Sequence, residues 1–240
     1  MTYNWFAKVY DELMDDSLYD QWSEYTLSYV PKGASLLELG CGTGILGLKL
    51  KTSGYNVTGL DLSEDMLSIA YDRQMNQGST FPLIHRDMRD LSDLPTYDSI
   101  VCYSDALCYM DNKTDLLAVF KEAYKHLNDI GLFLFDVHSV YQIKQYLATS
   151  FHAETSDIVF MWDSYEGEHD HSVEHDLTFF VENKDGLYER FEEVHKERTY
   201  PIEDYLELLN QSGFTDIEVT ADFGQTVQSD SKRLFFACKK

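Results

Sequence analysis

Apolar positions along the chain fall into two rhythms that alternate. Short apolar runs at Ser35–Leu39, 56–60, 81–85, 97–103 and 131–137 have the length and content of buried strands. Between them, over 44–52, 63–77 and 113–127, apolar residues recur at helical spacing. Ser63 stands where an N-cap belongs, with Glu64 and Asp65 in the following turn. Strand and helix in strict alternation predict an α/β fold around a doubly wound sheet. Upstream, Phe6, Val9, Tyr10, Leu13 and Met14 predict a helix over 4–15, and a second runs over 18–30 until Pro31-Lys32-Gly33 stops it. Past residue 150 the pattern changes. Segments 157–165, 174–182 and 187–199 read as three strands, with turn signals at Glu166-Gly167 and Asn183-Lys184-Asp185-Gly186. A helix over 202–212 ends at Gly213, and strands over 217–222 and 233–238 complete the chain.

The chemistry concentrates where the first strand turns into the first core helix. Ser35-Leu-Leu-Glu-Leu-Gly-Cys-Gly-Thr-Gly-Ile-Leu-Gly47 places glycines at 40, 42 and 44, where the backbone can take positive φ and approach a ligand closely. The second strand ends at Asp61, placed to hold the two hydroxyls of a ribose, so the unit reads as a nucleoside-binding βαβ. Gly42, Gly44 and Gly47 also satisfy the dinucleotide fingerprint, which leaves a nicotinamide or flavin enzyme as an alternative. Glu38, two residues before the first glycine, suits an ammonium better than a pyrophosphate. Ligands of open α/β sheets bind outside the carboxyl ends of the strands. The loop Ser104–Tyr109 and the segment Asp136-Val-His138-Ser139 should therefore line the pocket. Histidine titrates near neutrality and suits proton transfer. His138 reaches the rim, and His195 shares a strand face with Glu193. His169, His171 and His175 have a spacing that can bind zinc on a strand, yet they sit at an acidic hairpin tip with no cysteine near.

Leu37-Glu-Leu-Gly-Cys-Gly-Thr-Gly44 closely resembles motif I of the class I methyltransferases that use S-adenosylmethionine (SAM), and Leu60-Asp-Leu-Ser-Glu-Asp-Met-Leu67 resembles the segment just past their second strand. Residues 5–14 resemble the N-terminal lid of small bacterial members. Tyr188-x-Arg-Phe-x-Glu-x-His195 resembles a segment of sugar amine N-methyltransferases. The resemblance implies a Rossmann-like, seven-stranded doubly wound sheet with an antiparallel β lid inserted after strand five. The cofactor domain would comprise 1–149 and 201–240, with lid helices in 1–30, and 150–200 would roof the substrate site. It also implies a SAM site formed by Tyr3, Phe6, Tyr10, Glu38, Gly40, Cys41, Gly42, Thr43, Gly44, Asp61, Leu62, Met66, Asp87, Met88, Tyr103 and Ser104. Substrate contacts would come from Asp105, Leu107 and Glu193, and catalysis from His138, His195 and Tyr109. Methyl transfer needs no metal, so none is expected. One departure stands out: Cys108 occupies a place where many relatives carry Asn.

Composition narrows the substrate. The 240 residues carry a net charge of −23, with Lys232-Arg233 and Lys239-Lys240 as the only basic clusters, which disfavours nucleic acid or an anionic membrane as partner. A small-molecule acceptor methylated at nitrogen or oxygen is the leading expectation. Methylation of RNA or protein, and a SAM-binding regulator without turnover, are the alternatives. No apolar run reaches membrane-spanning length, and the first residues do not resemble a signal peptide. The four cysteines show no pairing or zinc spacing, as befits a reducing cytoplasm. The expectation is a cytoplasmic monomer or homodimer.

Overall fold

A computed structural model describes residues 16–240; the helix expected over 4–15, and with it Tyr3, Phe6 and Tyr10, lies outside them. The chain enters through α1 (Asp16–Tyr29) and then alternates β1 (Ser35–Leu39), α2 (Ile45–Thr52), β2 (Asn56–Asp61), α3 (Glu64–Gln77), β3 (Leu83–His85), β4 (Tyr97–Cys102), α4 (Lys113–His126) and β5 (Leu127–His138). A short 3₁₀ turn, Ala106–Tyr109, comes after β4. Beyond α5 (Val140–Tyr146) come β6 (Phe151–Glu154), β7 (Ile158–Glu166), β8 (Ser172–Glu182) and β9 (Tyr188–Arg198), then α6 (Ile202–Ser212), β10 (Asp216–Ala221) and β11 (Arg233–Lys239).

Seven strands form one sheet in the order β10-β11-β5-β4-β1-β2-β3. All neighbours are parallel except β11, which runs antiparallel to both β5 and β10. The strand order reverses between β1 and β4, where a doubly wound sheet opens its ligand crevice. Strands β1 and β4 are buried over nearly their whole length, as strands covered by helices on both faces must be. The remaining strands β6–β9 form a separate antiparallel sheet with its own apolar cluster of Ile158, Phe160, Leu177, Phe179 and Val181. Among the described residues, no helix is long and apolar enough to cross a membrane.

Four features differ from the sequence pattern. Strand β3 starts at Leu83 rather than 81, because the Phe81 N–H is taken by the Gln74 side chain and Pro82 has none. Helix α4 stops at His126, and β5 begins at once instead of at 131. The turn-like residues 128–131 are absorbed as a bulge, with Tyr97 and Ser99 of β4 opposite Leu127 and Leu132. The second sheet has four strands, not three. Its extra strand β6 is a four-residue, mostly exposed edge, too short to show periodicity. Finally, His169, His171 and His175 do not share a strand: the first two lie in the β7–β8 turn, and His175 is 1% exposed inside β8.

Candidate functional site

The β1–α2 turn and the tip of β2 are locked together. Gly40, Gly42 and Gly44 all hold positive φ. Asp61 accepts the Gly42 N–H through Oδ2 at 2.7 Å and the Ser63 N–H through Oδ1 at 2.9 Å, so both carboxylate oxygens are oriented by backbone donors while lone pairs remain. Burial raises the Asp61 pKa, and those N–H bonds counter it. A Cβ on Gly40 would lie 2.8 Å from the Ala106 Cβ, which brings the 3₁₀ turn after β4 against the glycine turn. Among the described residues, a Cβ on Gly42 would meet nothing within 4 Å. Beneath the turn, Glu38 is 4% exposed, and its Oε2 has no hydrogen-bond partner among the described residues. Burial, reinforced by the charge of Asp61, pushes the Glu38 carboxyl up to about 8.

A chain of buried charges runs from α1 to the second sheet. Trp22 donates its indole N–H to Asp136 Oδ2 at 2.8 Å. Arg233 reaches Asp136 at 2.8 Å and Asp105 Oδ1 at 2.6 Å, and its guanidinium lies 5.4 Å from the Trp22 ring centroid. Asp105 holds φ +52, and its N–H donates to Asp136 Oδ1. His138 Nε2 then faces Asp105 Oδ2 at 3.3 Å, Tyr146 Oη at 3.4 Å and Glu197 Oε2 at 3.5 Å. His175 Nε2 lies 4.0 Å from Glu197 Oε1. Burial opposes ionisation of Asp105, yet His138 and Arg233 outweigh it and hold its carboxyl well below the usual range. Burial likewise works against a charged His138, but Asp105 prevails and raises its pKa. For Glu197, burial and the neighbouring Asp105 raise the pKa. His175 is pushed down to about 4 by burial, with the charges of His138 and His195 adding to it.

A second polar line faces more open space. Tyr109, 44% exposed, places its hydroxyl 2.9 Å from His195 Nδ1, and His195 Nε2 lies 3.1 Å from Glu193 Oε2. A carboxylate only accepts, so Nε2 carries the proton, and Nδ1 is left to accept from the tyrosine. Strict alternation along β9 puts Glu193, His195 and Glu197 on one face. Between this strand, the β7–β8 turn and the 3₁₀ turn lies a cavity of about 240 Å³, lined by Tyr109, Cys108, His169, Glu174, Glu197 and Arg198 among others.

The other residues singled out in the sequence have the following surroundings. Leu107 is fully buried in the core shared by β1, β4 and β5, and Cys108 is 1% exposed. Tyr103 is enclosed by Trp22, Tyr25 and Phe235, with its hydroxyl 3.0 Å from Thr26 Oγ1. Cys41 packs beneath Gly59, and burial pushes its thiol well up. Thr43 is buried and gives its carbonyl to Arg73, Leu62 is 64% exposed, and the Met66 N–H caps onto Ser63. Asp87 is engaged by Arg89 at 2.6 Å, whose hydrogen bonds lower its pKa, and the Met88 methyl reaches toward Gly40. Ser104 holds φ +55 ahead of Asp105. Trp22, Arg233, Glu197 and the partnership of Asp136 were not anticipated from the sequence. Glu197 was within reach, since it continues the Glu193–His195 face at period two. Arg233 was not, because only the pairing of β11 with β5 brings it to Asp136.

Comparison with known proteins agrees with this geometry. A family described as a methyltransferase domain matches residues 36–131. The methyltransferase-family protein YqeM of Bacillus subtilis (strain 168) is 40% identical, over 100% of this chain and 98% of its own. The crystal structure of a SAM-dependent methyltransferase from Clostridium acetobutylicum superposes with a TM-score of 0.86 at 29% identity, covering 99% of this chain and 98% of that one. The sugar N-methyltransferase KedS8 from Streptoalloteichus superposes with a TM-score of 0.77 at 20% identity, covering 98% and 92%.

Proposed function

The chain belongs to the class I SAM-dependent methyltransferases, and from that premise we propose that it methylates nitrogen or oxygen of a small molecule held beneath strands β6–β9. On this reading residues 1–149 and 201–240 form the cofactor domain and 150–200 cover the acceptor. The donor set fits the cofactor. Glu38 Oε2 is an orphaned acceptor awaiting an ammonium, Gly42 leaves open space where its backbone meets the ligand, and Asp61 keeps lone pairs for ribose hydroxyls. Bound there, SAM supplies an electrophilic methyl on a sulfonium whose departure as a thioether is facile.

What remains for the protein is alignment and removal of one proton. Tyr109 lines the cavity, and its own turn packs on the glycine turn through Ala106. As the acceptor's N–H or O–H gives its proton to the Tyr109 oxygen, the phenolic proton passes to His195 Nδ1, and Glu193 stabilises the resulting imidazolium. His138 is enclosed by Asp105, Tyr146 and Glu197, so the more exposed Tyr109–His195–Glu193 line is assigned the proton. That line, with Tyr109 in the wall of the cavity, is the observation that carries the reading. The sugar N-methyltransferase neighbour, with its nearly whole-chain match, supports an acceptor of small size.

The test incubates the protein with methyl-labelled SAM and a fractionated cell extract. Label is expected in the fraction of small molecules; label confined to RNA or protein contradicts the proposal. With the acceptor so found, Tyr109→Phe should lower kcat by roughly 10²-fold or more and leave SAM affinity unchanged.

A further inference from the structure

We propose that Asp105, His138 and Glu197 form a binding site for one first-row divalent cation, a site separate from the Tyr109–His195–Glu193 line. The three come from the loop after β4, the end of β5 and strand β9, and one donor atom from each lies within 4.8 Å of the others. His138 Nε2 stands 3.3 Å from Asp105 Oδ2 and 3.5 Å from Glu197 Oε2. These spacings are longer than a good N–H···O bond of about 2.7–3.2 Å. They match the edges of a coordination shell, since an ion about 2.1 Å from each donor sets neighbouring donors roughly 3.4 Å apart.

Charge points the same way. The Arg233 guanidinium occupies Asp105 Oδ1 and Asp136 Oδ2 and leaves Asp105 Oδ2, together with Glu197 Oε2, to face His138 Nε2. A cation bound here takes His138 neutral and Glu197 ionised, so its binding releases protons and its charge is balanced by the carboxylates.

An independent observation comes from His175. It is 1% exposed, and its Nδ1 accepts the Trp162 indole N–H at 2.8 Å, so its proton resides on Nε2. That N–H has no hydrogen-bond partner and lies 4.0 Å from Glu197 Oε1, while Glu197 Oε2 also lacks one. A buried carboxylate oxygen left without a partner, 3.5 Å from His138 Nε2, is a donor atom open to a ligand. One imidazole with two carboxylates selects zinc or manganese over calcium or magnesium. Such an ion would tie β9 to the rim of the central sheet.

The experiment strips the full-length protein with a chelator, then titrates it with Co²⁺, followed by visible absorption and metal content, and competes with Zn²⁺. The proposal expects one cation per chain, displaced by Zn²⁺. Binding should weaken at least tenfold in Glu197→Gln and in His138→Gln, and stay unchanged in His171→Ala. A readout without substitution tracks the histidine ring nitrogens by NMR, where Zn²⁺ should shift His138 Nε2 and spare His169 and His171. Absence of saturable binding, equal binding in Glu197→Gln, or shifts confined to His169 and His171 overturns it. No acceptor or SAM is present, so the outcome is independent of the methyl-transfer reading.

Discussion

Gly40 and Gly42 hold similar backbone angles, φ +68 and +51, for different reasons. Gly40 is pressed against Ala106, whereas the space beside Gly42 is open. Gly42→Ala should therefore cost only about 1–2 kcal/mol of stability, the penalty of a left-handed L-residue, while sharply weakening SAM binding. Gly40→Ala adds a 2.8 Å clash and should lower the melting temperature more. Thermal unfolding and calorimetry of the two variants separate the roles. Glu38 makes stability depend on pH. Its folded pKa of about 8 lies above that of an unfolded glutamate, so its contribution is fully present below about pH 4.5 and is lost as pH rises through 8. Over that window the ligand-free protein should lose stability on the order of 5 kcal/mol relative to Glu38→Gln, at about 1.4 kcal/mol for each pH unit between the two pKa values. Urea unfolding at several pH values measures it, and parallel curves for the two proteins would contradict the assignment.

Elements bring together what single residues cannot. Helix α1, β5 and β11 meet at the Trp22–Asp136–Arg233 junction, which also fixes Asp105 after β4. Arg233→Met would leave two buried carboxylates without their cation and should destabilise the protein by about 3–5 kcal/mol, read as a fall in the urea midpoint. The glycine turn and Asp61 were legible because both sit within one βαβ unit, where spacing alone fixes proximity. The Asp105–His138–Glu197 cluster was not, because it needs a strand of the second sheet brought back to the rim of the first, some sixty residues beyond β5. The three histidines would share a face only on one continuous strand, and β8 starts at Ser172, so His169 and His171 stay at the hairpin tip where the sequence reading placed them.

At the scale of the molecule, a doubly wound sheet whose strand order reverses between β1 and β4 was predictable from strand–helix alternation, while its seven strands were what the family resemblance implied. The four-stranded second sheet was only partly so, because a short exposed edge leaves no hydrophobic signature. A net charge of −23 surrounds an interior in which the acids are ordered into lines: one beneath the glycine turn, one toward the second sheet. The first of these, Glu38, the glycine turn and Asp61, is the seat we propose for SAM. Calorimetric titration of S-adenosylhomocysteine into the wild type and Asp61→Ala tests that seat most directly. Micromolar binding that falls at least tenfold in the variant is the predicted result; equal binding in both, or binding of NAD in its place, contradicts it.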